Sequence, residues 1–100
     1  AFSTVEPMAY EALGIADRGE GHKPIREGTV KFDGELPVNP SGGLKSKGHP
    51  VGATHIGTII EMFLQLRNEA GDRQVPEPEL GLIEGHGGSG SVSLVSILGR

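Results

Sequence analysis

The chain of 100 residues contains no cysteine, so it has no disulfide framework and no thiolate metal site. It also lacks an excess of positive charge. Nine Lys and Arg stand against 13 Asp and Glu, for a formal net charge of −4. The basic residues are scattered, and Lys45 and Lys47 form the one tight pair, which argues against the continuous basic face needed by a nucleic acid or an anionic membrane. No apolar run approaches the roughly 20 residues of a bilayer-spanning helix. The start, Ala1-Phe2-Ser3, carries neither an initiator Met nor the regions of a signal peptide. The expectation is therefore a piece of a longer protein, soluble and cytoplasmic, with residues 1–100 forming one small domain around one modest core.

The chain is rich in turn formers, with 17 Gly and 7 Pro, yet its apolar residues gather into definite runs. Ser3 with Glu6 has the form of a capping box, and Val5, Met8, Ala9 and Ala12 follow at helical spacing up to Gly14. Between residues 14 and 40 no period is sustained, and only 29–32 and 36–38 suit short strands. Ile56, Ile59, Ile60, Phe63 and Leu64 then recur as one face of a long amphipathic helix expected to stop near Gly71. Residues 80–83 and 91–98 read as strands that pair antiparallel, joined by a glycine-rich hinge, Glu84-Gly85-His86-Gly87-Gly88-Ser89-Gly90, with the helix covering one face. The fold class expected is α/β.

Two glycine-rich elements stand out. Asn39-Pro40-Ser41-Gly42-Gly43 and Gly48-His49-Pro50-Val51-Gly52-Ala53-Thr54 describe a backbone brought close to something, with one imidazole held on a stiff loop before a helix N-terminus. The plainer alternative is that the glycines serve tight turns while His49 caps the helix. In the second element, the N–H groups of residues 85–88 suit the lining of an oxyanion hole, and they equally suit a wide hairpin connection. His55, in the first turn of the long helix, and His22, in a charged loop, read as ordinary partly exposed residues.

The sixteen residues Asn39-Pro40-Ser41-Gly42-Gly43-Leu44-Lys45-Ser46-Lys47-Gly48-His49-Pro50-Val51-Gly52-Ala53-Thr54 closely resemble the signature loop of thiolases, in the form seen in the sterol-carrier-protein-type and archaeal branch. The resemblance extends through Tyr10-Glu11-Ala12-Leu13-Gly14-Ile15 and the stretch from Gln65 to Val75, covering essentially the whole chain. It implies the C-terminal half of a layered α/β fold built from two similar halves, incomplete without the upstream half. The nucleophilic cysteine would come from that half, and His49 would activate it. Ser41, Gly42 and Gly43 would contact the coenzyme A thioester, which enters as substrate, no cofactor being permanently bound. Ala1-Phe2 looks like the end of a further motif whose first residues lie upstream.

The sequence departs from the family at two places. Thiolases carry Cys, or His in this branch, ahead of the Gly-Gly-x-Gly turn, whereas here that position falls on Glu84. His86 and Gly87 then take the backbone oxyanion role. His55 stands where the family usually has Gly. Three functions follow: thiolase-type chemistry on an acyl-CoA with His49 and Glu84 as catalytic groups; retro-aldol cleavage of a β-hydroxyacyl-CoA; or acyl-CoA binding without chemistry. The implied partners are the N-terminal half in the same or a separate chain, a second copy in a dimer or larger oligomer, and, for the aldolase, an OB-fold or zinc-ribbon acyl-CoA-binding protein. No metal, nucleic acid or membrane is expected.

Overall fold

A computed structural model describes residues 2–100, which divide into two compact units, one ending at Lys47 and one spanning Gly48–Arg100. In the first unit, helix α1 (Val5–Ala12) begins after Thr4, which caps it without a side-chain hydrogen bond. The expected Ser3–Glu6 capping box does not form because the N-cap is Thr4 rather than Ser3, which puts Glu6 at the second helical position instead of the third. Glu6 instead accepts the hydroxyl of buried Tyr10, one turn on. Gly14 (φ 74°) ends the helix as expected, with Ile15 N–H donating to Tyr10 O at 2.8 Å in a Schellman-type closure.

A short helix not foreseen, α2 (Lys23–Glu27), follows, with Pro24 in its first turn and Gly28 at its left-handed C-cap. The strands expected at 29–32 and 36–38 are corrected to turns, bends and irregular chain. Those segments do meet, through Leu36 N–H to Thr29 O at 3.0 Å and Val38 N–H to Val30 O at 3.2 Å, but Gly34 crosses so close that a Cβ there would lie 2.3 Å from Thr29 O. The chain folds back too tightly for a ladder. A second short helix, α3 (Gly43–Lys47), closes the unit.

The second unit holds helix α4 (Thr54–Leu66) and an antiparallel hairpin of β1 (Leu80–Gly87) and β2 (Val92–Gly99). The α/β class is as expected. Two boundaries differ: α4 ends at Leu66 rather than near Gly71, and Asn68 takes a left-handed φ of 59°, a conformation Asn tolerates better than most residues. β1 runs through the expected hinge to Gly87, so the connection shrinks to residues 88–91. Glycine does not break a strand whose partner supplies the ladder, and Gly87 pairs with Val92.

Gln65, at the end of α4, is buried and ties the helix to the following loop. Its amide donates to Arg73 O at 2.6 Å and accepts from Val75 N–H at 2.8 Å, while Gln74 donates back to Gln65 O at 3.0 Å. Arg73 pairs with Glu61 at 3.1 Å. The apolar stripe of α4 remains about half exposed in this unit. Ile56, Ile59, Ile60 and Phe63 are 60, 47, 53 and 55% exposed, and the helix rests on β1 through the side that carries His55 and Met62. Among the described residues, no helix is long and apolar enough to cross a membrane.

Candidate active site

The candidate residues fall into three groups, and the first belongs to the unit ending at Lys47. Asn39 (φ 50°), Gly42 (φ 84°) and Gly43 (φ 61°) all adopt left-handed backbone, which explains two glycines in succession. Gly42 N–H donates to Asn39 O at 2.8 Å, and Gly43 N–H approaches Ser41 Oγ at 3.4 Å. Ser41 and the two glycines thus make a tight turn at the start of α3. A Cβ on Gly42 would lie 2.7 Å from the Ser46 Cβ, so a side chain there requires the helix to move.

The second group begins the unit spanning Gly48–Arg100. Gly48 (φ 83°) turns the chain into His49-Pro50, and Thr54, the first residue of α4, reaches back to both. His49 Nδ1 lies 2.8 Å from Thr54 Oγ1, and Thr54 Oγ1 donates to Pro50 O at 3.1 Å. A carbonyl oxygen only accepts, so the single hydroxyl proton of Thr54 is committed to Pro50 and the hydroxyl oxygen must accept from His49. Nδ1 therefore carries the proton in the neutral ring, leaving Nε2 with a free lone pair on an exposed loop. The sequence singles out His49 but not Thr54. The five-residue spacing across a helix start was the available signal, and it does not reveal which way the hydroxyl turns.

The third group lies on the hairpin. Glu84 and His86 alternate on one face of β1, and His86 Nδ1 meets Glu84 Oε1 at 2.9 Å, an ion pair whenever the ring is protonated. Ser93, opposite His86 in the register, donates to the same carboxylate oxygen at 3.2 Å. Glu84 is the better shielded of the pair, its side chain 19% exposed against 38% for His86. Ser93 was not anticipated, since it joins the group only once the register is known.

The backbone of β1 adds a further feature. Arg100 N–H donates to Glu79 O at 3.0 Å, and these two residues continue the register one step beyond Leu80 and Gly99. In an antiparallel pair, bonded and non-bonded residues alternate. Gly81, Ile83, Gly85 and Gly87 accordingly turn their N–H and C=O groups to β2, whereas those of Leu82, Glu84 and His86 point to the edge that carries no strand in this two-stranded sheet. Of the two backbone candidates, His86 offers a free N–H, while that of Gly87 is directed at Val92.

Among the described residues no hydrogen bond joins His49 to Glu84 or His86, and none of them forms a cluster able to hold a metal ion. The arrangement offers an exposed imidazole base, a carboxylate–imidazole pair and a free strand-edge N–H. These are parts suited to proton transfer and to holding a developing oxyanion.

The family described as thiolase C-terminal domain-like matches residues 1–100. The chain is 46% identical over 99 residues to an acetyl-CoA acetyltransferase of Methanothermobacter thermautotrophicus, covering 99% of the chain and 26% of that protein. It is 46% identical over 91 residues to human (Homo sapiens) sterol carrier protein 2, covering 91% of the chain and 17% of that protein. It is 38% identical over 89 residues to benzoylsuccinyl-CoA thiolase subunit BbsB of Thauera aromatica, covering 88% of the chain and 23% of that protein. The chain thus spans about a quarter or less of these relatives. With the family matched from end to end and the Gly-His-Pro loop set at the start of α4, the chain belongs to the thiolase C-terminal domain family.

Proposed function

We propose that this segment contributes the base side of an active site that makes or breaks a carbon–carbon bond next to a coenzyme A thioester, as an acetyl-CoA acyltransferase. The observation that carries the reading is the hydrogen-bond relay Pro50–Thr54–His49, which protonates Nδ1 and leaves Nε2 free on an exposed loop. Such a nitrogen takes a thiol proton, so His49 activates a cysteine supplied by the remainder of the protein. The thiolate then adds to the carbonyl of the acyl-CoA, and the free N–H of His86 is suited to the oxyanion that forms. Glu84, paired with His86, exchanges the second proton. Ser41, Gly42 and Gly43 contact the coenzyme A thioester, which is a substrate and not a resident cofactor. The similarity to an acetyl-CoA acetyltransferase and to a benzoylsuccinyl-CoA thiolase subunit supports this substrate class.

The Glu84–His86 pair favours a second reading. A carboxylate in place of the family's Cys or His suits retro-aldol cleavage, where a base removes the hydroxyl proton of a β-hydroxyacyl-CoA. The partners follow from these readings: the N-terminal half and a second copy for either, and an OB-fold or zinc-ribbon acyl-CoA-binding protein for the aldolase.

The test is turnover by the complete protein of acetoacetyl-CoA with free coenzyme A, and separately of a β-hydroxyacyl-CoA. His49→Ala is expected to lower thiolysis of the first by at least ~100-fold, within the range for loss of a general base. Cleavage of the hydroxyacyl substrate alone would move the assignment to an aldolase. Turnover of neither would leave acyl-CoA binding as the function.

A further inference from the structure

Helix α4 is seated on β1 by two side chains that occupy the places of missing ones. A Cβ built on Gly85 would fall 1.6 Å from His55 Nε2, and one built on Gly81 would fall 1.8 Å from Met62 Sδ. His55 and Met62 are seven residues apart, two turns on one face of the helix. Gly81 and Gly85 are four apart on one face of the strand. The helix and strand are therefore pinned at two points, each made of a side chain lying in a glycine gap.

The two pins differ in what surrounds them. Met62 and Gly81 lie toward the far end of α4 and the start of β1. His55 directly follows Thr54, the residue that orients His49, and Gly85 sits between Glu84 and His86. The near pin thus connects the turn that carries the base to the strand that carries the carboxylate–imidazole pair. The His55 ring makes no hydrogen bond among the described residues, so it holds by volume. We infer that His55 is a positioning residue, setting the spacing between the His49–Thr54 loop and the Glu84–His86 strand; the inference rests on the function proposed above.

Misplacing catalytic groups by about 1 Å costs on the order of 100-fold in rate. His55→Ala in the complete protein is expected to lower kcat for the acyl-CoA substrate by at least ~10-fold while KM stays within about threefold. His55→Met, which installs the side chain that does the same job at Gly81, is expected to restore most of kcat with an unmoved pH profile. Gly85→Ala is expected to be damaging while His55 is present and harmless in the His55→Ala background, because the added methyl and the ring compete for one space. Met62→Ala serves as the structural control: it should lower the melting temperature as much as His55→Ala and leave kcat unchanged.

Several outcomes would overturn the inference. One is a His55→Met enzyme as slow as His55→Ala, or one missing a limb of the pH profile, since His55 would then act through its proton. Additive effects of His55→Ala and Gly85→Ala would overturn it too, as would equal kcat losses from His55→Ala and Met62→Ala. Failure of the underlying function looks different. There the wild-type protein turns over no acyl-CoA, or does so independently of His49. Full kcat in His55→Ala with His49-dependent turnover removes the positioning role alone.

Discussion

At the scale of single residues, the orientation of His49 depends on one hydroxyl. Thr54 accepts from Nδ1 only because its own proton is taken by Pro50 O. Thr54→Val keeps the shape and removes the acceptor, so kcat for acyl-CoA thiolysis is expected to fall about 10-fold with KM within about threefold, read by steady-state kinetics on the complete protein. Tyr10 shows a different use of a hydroxyl. Burial, and then its hydrogen bond to Glu6, push its pKa well above the ordinary 10.0. A raised folded-state pKa means that the contribution to stability is complete below pH 10.0 and is lost as pH climbs toward the folded value. Thermal unfolding between pH 8 and 11 should therefore show an alkaline decline that is weaker in Tyr10→Phe, a variant expected to be less stable at neutral pH by about 1 kcal/mol.

At the scale of elements, α4 is anchored at its C-terminal end by polar bonds and along its length by two glycine gaps. Gln65 satisfies Arg73 O and Val75 N–H together. Gln65→Leu fills the same space but removes the partner of both part-buried groups, and a loss of about 1–3 kcal/mol is expected from denaturant unfolding of the complete protein. A near-neutral result would mean that the loop from residue 71 to 75 finds other partners. The hairpin is organised by register: it places Ser93 beside Glu84 and leaves the N–H of His86 at the open edge. A one-residue slip would turn Glu84 and His86 toward the helix, where Gly85 now makes room for His55.

At the scale of the whole molecule, the notable feature is an uncovered apolar stripe. Ile56, Ile59, Ile60 and Phe63 on α4 are each about half exposed. Burying a side chain of this kind is worth roughly 1.5–3 kcal/mol, so four of them favour association strongly. The 100-residue segment produced alone is expected to self-associate in sedimentation velocity. Replacing Ile56 and Ile60 with Lys should shift it toward monomer. A monomeric wild-type segment that unfolds cooperatively would count against this expectation. The chain covers 26% of the archaeal acetyl-CoA acetyltransferase, so in a protein of that length most of the polypeptide lies outside these residues.

Much of this was legible in the sequence alone. The 3.6-residue period of 56–64 announces α4, the alternation of 91–98 announces β2, and the run from Asn39 to Thr54 identifies the family and His49. These signals are local, because a period or a motif is written in consecutive residues. Other features were decided by tertiary structure. Periodicity shows that α4 has an apolar face, but not which side chains reach the strand; in the fold His55 and Met62 reach β1 where Gly85 and Gly81 leave room for them. Composition marked residues 84–90 as a hinge, yet pairing with β2 draws four of them into a strand, since a ladder partner outweighs glycine's weak preference for the extended state. Thr54, Ser93 and His55 gain their roles only from what folding places beside them. A side chain's type is set by the sequence, but its hydrogen-bond partner, its neighbours and the face it occupies are properties of the packed chain.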